Sequence, residues 1–180
     1  MTNTVVAYAT AHGTTQSIAQ RIAEIVGGKG DDVELRALDE RSGLGDLAEV
    51  DCLIIGSAIH NGQWLPAAEA AVRAFQQPHD PLVVWAFSVS SVGATSSFLV
   101  WPVARALRHV TSEPRAVTEL RTQADVGSHR FFAGAIAPGD WPRTGRILFR
   151  LMGGRYGDAR DWDDVDEWAG RIISSLTGPR

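Results

Sequence analysis

ATAHGTTQS, residues 9–17, follows the apolar run Val5-Val6-Ala7-Tyr8 and precedes IAQRIAEIV at 18–26. The spacing of apolar residues changes across it. Before the loop they are continuous, as in a strand covered on both faces; after it Ile18, Ile22, Ile25 and Val26 recur at helical spacing. The loop itself is rich in hydroxyls and holds no Lys or Arg. A helix start carries unpaired N–H groups and a partial positive charge, so it binds an anion without a cationic side chain. One capping threonine, Thr14 or Thr15, would be enough for the helix alone. Thr10, His12, Gly13, Thr14, Thr15 and Ser17 together point instead to an anion site, with Gly13 allowing the backbone to approach a ligand closely.

Working outward, further β-rich runs are DVELRAL (32–38), DCLIIGS (51–57), PLVVWAFS (81–88) and RFFAGAI (130–136). DVELRAL alternates and suits an edge; the others, like TVVAYAT (4–10), are nearly continuous. Helical spacing is expected over PAAEAAVRAFQQ (66–77), which opens with Pro66, over SSFLVWPVARALRHV (96–110), and over DWDDVDEWAGRIISSL (161–176). GGKG at 27–30 reads as the stop of the first helix. Strands alternating with helices predict an α/β, three-layer, doubly wound parallel sheet of five strands in the order 2-1-3-4-5. No repeat or linker divides the chain, so residues 1–180 read as one domain with a variable segment at 91–129. Ligands of such sheets sit beyond the carboxyl ends of the strands, at the switch point between strands 1 and 3. The loops to watch are therefore TAHGTTQ (10–16), GSAIHNGQWLP (56–66) and SVSSVGATSS (88–97).

Composition narrows the function classes. A net charge of −4 and the lack of a Lys/Arg run interleaved with aromatics argue against nucleic acid. The single cysteine, Cys52, sits in an apolar run and reads as a buried small hydrophobe, which makes a reducing cytoplasm the expected compartment. No apolar run approaches the roughly 20 residues that span a bilayer. The five histidines show no metal-ligand spacing, and no metal is expected. G-x-x-x-x-G-K-[ST], G-x-G-x-x-G after strand 1 and G-x-S-x-G are all missing. Asp161, Asp163, Asp164, Asp166 and Glu167 read as a solvated, dipole-matched helix start.

Thr10-Ala11-His12-Gly13-Thr14-Thr15 resembles the flavodoxin phosphate loop [ST]-x-T-G-x-T, with His12 in place of the usual Thr. IIGSAIHNGQWLPAAEAAV and FFAGAI are similar in order and spacing to the flavodoxin-like family that includes menaquinone-dependent protoporphyrinogen dehydrogenase. The resemblance implies FMN as cofactor. It places the phosphate on Thr10, His12, Gly13, Thr14 and Thr15, and leaves the redox centre with no fixed cation nearby. It draws the second loop, Ser57, Ala58, Ile59, His60, Asn61, Gly62 and Trp64, to the ring. There Gly62 is the candidate whose carbonyl accepts from the reduced flavin, and Trp64 either covers a ring face or packs under the helix begun at Pro66. Ser88, Val89, Ser90 and Gly93 are implied at the pyrimidine edge. This third loop lacks the aromatic that stacks on the outer face in many electron carriers, so a flat substrate could approach.

DWPRTGRILFRLMGGR (140–155) sets Arg143, Arg146 and Arg150 among Ile147, Leu148, Leu151 and Met152 and predicts a short basic amphipathic helix. It is expected either to pack on the sheet or to meet a membrane surface, at the inner face, or an anionic substrate. By the resemblance, the function is FMN-dependent oxidation of protoporphyrinogen IX with a quinone acceptor. The alternative is a flavodoxin-type electron carrier that docks on redox proteins.

Overall fold

The computed structural model describes residues 2–28, 32–39, 42–78, 82–137, 139, 147, 149–151 and 153–177. Its elements are β1 (Asn3–Ala9), α1 (Thr14–Gly27), β2 (Asp32–Ala37), β3 (Cys52–His60), β4 (Gln63–Trp64), α2 (Pro66–Ala74), β5 (Val83–Ser90), α3 (Trp101–Val110), α4 (Arg115–Gln123), β6 (Val126–Ala133), β7 (Ala135–Ile136), β8 (Gly157–Asp158) and α5 (Trp162–Thr177). The parallel strands run β2-β1-β3-β5-β6, and the short β4 folds back antiparallel on β3. Counting only the parallel strands, this is the expected 2-1-3-4-5 order.

Period-two alternation splits the buried strands between two cores. Val5, Ala7 and Ala9 of β1 face one layer, with Leu53, Ile55, Val84 and Ala86, under α2 and α4. Val6 and Tyr8 face the other, with Cys52, Ile54, Trp85 and Phe87, under α1 and α5. Trp168 centres the second layer. Its ring meets Trp85, Phe87 and Phe132 at centroid distances of 5.8, 6.1 and 5.7 Å, and its Nε1 donates to Ser128 Oγ at 3.1 Å. Strand β2 takes the expected edge position and is exposed at Asp32, Glu34, Leu35 and Ala37, so its exposure does not follow the alternation of its sequence. Gly28 closes α1 in an ordinary right-handed conformation, its N–H donating to Ile25 O, so the helix stops without a left-handed cap.

Several expectations are corrected. The third expected helix begins at Trp101, because Ser97 Oγ accepts from Leu99 N (2.9 Å) and Phe98 N donates to Ser91 O (3.1 Å), which curls residues 96–100. Helix α4 lies inside the variable segment 91–129, where the sequence predicts no helix beyond residue 110. The last strand starts at Val126, four residues early, and ends at Ala133; Ala135–Ile136 turns aside to pair antiparallel with Gly157–Asp158.

The acidic start of α5 is not a solvated face throughout. Asp161 Oδ1 accepts from Asp164 N, capping the helix (3.2 Å), while Asp166 forms a two-point pair with Arg21 at 2.8 and 2.6 Å. Asp164 is buried, 5% exposed, and pairs with Arg130 of β6. Removing one partner strands a buried charge, which costs more than the intact pair contributes. Asp164→Ala is expected to lower unfolding free energy by about 2–4 kcal/mol in chemical denaturation. Asp163→Ala, at an exposed position of the same turn, is expected to change it by less than about 0.5 kcal/mol.

Candidate functional site

Because β1, β3 and β5 are adjacent and parallel, their carboxyl ends carry the three loops side by side. The register pairs Ala9 with Ser57 and Ser57 with Ser88, so each loop departs from nearly the same level.

The first loop leaves the helix start open. Gly13 occupies the cap position at φ 85, which its lack of a Cβ permits, and no side chain caps α1. Gly13 N donates to Thr10 Oγ1 (2.9 Å), so the loop is folded by its own threonine and that hydroxyl keeps its hydrogen. Ser17 N returns to Gly13 O (3.1 Å). The backbone N–H groups of Thr14, Thr15 and Gln16 meet no acceptor among the described residues, as a first helical turn dictates. Thr14 Oγ1 donates to Ala135 O (3.2 Å), tying α1 to the segment after β6. Thr15 is 1% exposed and its hydroxyl has no partner.

A cation does reach this loop, contrary to the expectation from its neutral sequence. Arg160 Nη1 donates to Ser17 Oγ at 2.7 Å; its Nε and Nη2 grip Asp158 at 2.8 and 2.5 Å, and its guanidinium lies 4.8 Å from the Trp162 ring centre. Hydrogen bonding between the two raises the Arg160 pKa and lowers that of Asp158. The carboxylate offsets much of the added charge, but the guanidinium is rigidly aimed.

In the second loop, Asn61 and Gly62 have φ 51 and 78 and join β3 to β4 as a two-residue hairpin. Positive φ at both positions is what a type I′ turn needs, and Asn-Gly supplies it. Ala58 and Ile59 are partly buried, and His60 lies at the exposed end of β3. Trp64 does not present a ring face. It is 2% exposed in the core, and its Nε1 donates to Ser88 Oγ at 2.8 Å, because a buried indole N–H needs an acceptor. Ser57 and Ser88 are also fully buried. Ser57 Oγ accepts from Leu65 N (3.0 Å), seating the start of α2, so both hydroxyls serve the fold and not a ligand. Val89 likewise points into the core beneath α1 and α5.

The third loop is closed on itself. Val92 N bonds to Ser90 Oγ (3.1 Å), Gly93 N to Ser96 O (2.9 Å) and Ala94 N to Phe131 O (2.8 Å). A Cβ on Gly93 would stand 2.3 Å from Ala133 N, so only glycine lets this loop lie on β6. Arg108, from α3, holds the loop's carbonyls: Nε to Gly93 O at 2.7 Å and Nη2 to Ser96 O at 3.1 Å. Nothing in the sequence near the loop signals Arg108, which lies fifteen residues beyond Gly93.

Below the second and third loops a polar chain crosses the sheet. Indole can only donate, so Ser88 Oγ accepts from Trp64 and gives its own hydrogen to His129 Nε2 at 2.8 Å. That leaves His129 Nδ1 protonated toward Glu113 Oε1 at 3.3 Å, and Glu113 is held by Arg121 at 3.0 and 3.1 Å. The His129 side chain is 2% exposed, and burial pushes its pKa down to about 4, although the Glu113 carboxylate pulls the other way. Of the arginines at 140–155, Arg143 and Arg146 lie outside the described residues; Arg150 is exposed, its guanidinium 5.9 Å from the Tyr156 ring centre.

A family model described as a flavodoxin domain matches residues 5–153. No curated protein matches the sequence. Among solved structures, the chain is similar to a flavodoxin from the domain Archaea (15% identity, 98% of this chain and 99% of that one, TM-score 0.58). It is also similar to oxidised Flavodoxin 1 from Bacillus cereus (13%, 98% and 100%, 0.57) and to a WrbA-like flavodoxin from Agrobacterium tumefaciens (15%, 97% and 97%, 0.57). At these identities the structures speak for the fold.

Because His129 binds a proton less readily folded than unfolded, stability is complete above the unfolded pKa near 6.5 and falls as pH drops toward about 4. The loss reaches roughly 3 kcal/mol. Denaturation midpoints between pH 7 and pH 4.5 are expected to show this slope in the native protein and to lose most of it in His129→Gln.

Proposed function

The chain belongs to the flavodoxin domain family, and on that premise we propose that it is a redox protein that holds FMN at the start of α1. The observation that carries the proposal is the uncapped helix start with the buried, unpartnered Thr15 hydroxyl beside it. A buried hydroxyl without a partner is costly, and a phosphate monoester would accept from it. The residues present fit that group. The N–H groups of Thr14, Thr15 and Gln16 and the Thr10 hydroxyl can donate, while a Cβ placed on Gly13 would meet nothing within 4 Å, so the approach is open. Arg160 adds a positive charge behind Ser17. His12, at the exposed crest of the loop, stands where the resemblance puts a hydroxyl. FMN, when bound, supplies the ring that takes up electrons or hydride. The chain's own part is to position it, through the Asn61-Gly62 hairpin on one side and the closed third loop on the other.

An enzyme fits better than a carrier. Trp64 is committed to the core and residues 88–97 contain no aromatic, so these loops offer no stacked ring to close the outer flavin face. A flat substrate would then have access. The resemblance of the phosphate loop and of residues 54–72 makes protoporphyrinogen, with a quinone as acceptor, the substrate pair of this proposal. The carrier reading draws its support from the overall likeness to flavodoxins.

Purified protein is expected to quench added FMN fluorescence at one equivalent. Thr14→Asp is expected to abolish the quenching, because a carboxylate would stand against the phosphate. Thr15→Val is expected to weaken FMN binding by about 10- to 100-fold, the worth of a hydrogen bond to a charged group, while leaving the ligand-free melting temperature unchanged or slightly higher. Unchanged FMN affinity in both variants would exclude this phosphate site. Anaerobic bleaching of the flavin by protoporphyrinogen, with recovery on adding a quinone, is the outcome expected of the enzyme; bleaching only through a reductase would identify a carrier.

A further inference from the structure

Residues 94–112 and 141–157 each carry arginines and no Asp or Glu. All 21 acidic residues of this net-negative protein lie elsewhere, while the two stretches hold six arginines. The fold brings the two stretches together. Arg155 N donates to Phe98 O (3.0 Å), the Phe98 and Phe149 rings meet at 6.4 Å, and a Cβ on Gly153 would come within 2.7 Å of Val100 Cγ1.

Their shared outer face is apolar. Val100 is 44% exposed, Trp101 66%, Ile147 63% and Leu151 79%. Phe149, two residues from both Ile147 and Leu151 in a helical stretch, is 1% exposed, so that stretch buries one side and turns Ile147 and Leu151 outward. Single exposed apolar residues are ordinary; four on two joined segments call for a partner.

Arginines border the patch. The Arg105 guanidinium stands 5.3 Å from the Trp101 ring centre, and Arg150 and Arg155 are exposed; among the described residues none of the three is paired with a carboxylate. Arg108 is spent on the third loop. Aliphatic tips, an indole and snorkelling guanidinium groups match the boundary between anionic headgroups and acyl chains, and the adjoining carboxylate, Asp158, is held by Arg160. The acidic remainder of the surface would be repelled by the same membrane, which sets the orientation. Among the described residues no helix is long and apolar enough to cross a membrane.

We propose that Val100, Trp101, Ile147 and Leu151, bordered by Arg105, Arg150 and Arg155, dock this protein peripherally on an anionic lipid bilayer. The face adjoins the candidate site, since Phe98–Trp101 continues from the third loop and the stretch after Arg155 leads to Arg160 at Ser17. The docking itself stands whether or not FMN is held.

Co-sedimentation of the full chain with vesicles tests it. Vesicles of phosphatidylcholine with about one third phosphatidylglycerol are expected to retain the protein at low salt, pure phosphatidylcholine at least tenfold less, and 0.5 M NaCl to release most of it. Arg105→Glu combined with Arg150→Glu should weaken binding at least tenfold, at roughly fivefold or more per arginine replaced. Trp101→Ser with Leu151→Ser should weaken it by a similar factor. All four positions are exposed, and unchanged thermal unfolding verifies the fold of each variant. Equal retention by both vesicle types, or wild-type retention by folded variants, would overturn the proposal. So would a dimer in light scattering that Trp101→Ser with Leu151→Ser dissociates, because the face would then belong to a second copy. The wild-type salt and lipid comparison decides the matter even if a variant fails to fold.

Discussion

A parallel sheet has to be covered on both faces, and that requirement organises this molecule. The crossovers through α1 on one face and α2 and α4 on the other return each strand in the same direction, and α5 completes the α1 face. Every loop leaving a carboxyl end therefore opens on one edge of the sheet. There the start of α1, with the N–H groups no helix can satisfy internally, meets the loops after β3 and β5. The position of the proposed anion site follows from packing, through the Val5–Ala9 strand and the Ile18–Ile22–Val26 face of the helix it leads into.

A second constraint, that buried polar groups must be paired, decides which loop residues stay available to a ligand. Trp64, Ser88, His129 and Glu113 satisfy one another across three strands, and this ties the Asn61-Gly62 hairpin to β5 and β6. Ser57 is taken by the start of α2, and Arg108 takes the carbonyls of the third loop. What remains unsatisfied among the loop side chains is the Thr15 hydroxyl, at the place where the helix start is uncapped. The same accounting separates the acids at the start of α5, where Asp161 caps the helix and the buried Asp164 answers Arg130.

How far each element was legible depended on how strong its local signal was. Strands β1, β3 and β5 announce themselves because a strand buried on both sides must be apolar at consecutive positions. Helix α4 was silent: only Ala116, Val117 and Leu120 of its nine residues are buried, too few to stand out among charged neighbours. The start of α3 differs from expectation because Phe98–Val100 is as apolar as a helix face, yet side-chain and backbone bonds to Ser91 and Ser97 hold it in another shape. Trp64 and Asp164 were ambiguous for a shared reason. An indole or a carboxylate reads the same whether it meets solvent, ligand or core, and only its neighbours settle which.

The sequence by itself determined the strand order, the position of the hydroxyl-rich loop at the end of the first strand, and the Asn-Gly hairpin, because these follow from apolar periodicity and from backbone angles that few residues tolerate. Tertiary structure alone decided that Arg160 stands behind Ser17, that Trp64 and Ser88 look inward, and that two acid-free stretches far apart in the chain form one face. Those facts join residues up to 143 positions apart. Local spacing carries no information at that distance, since only the closing of both core layers brings such groups into contact.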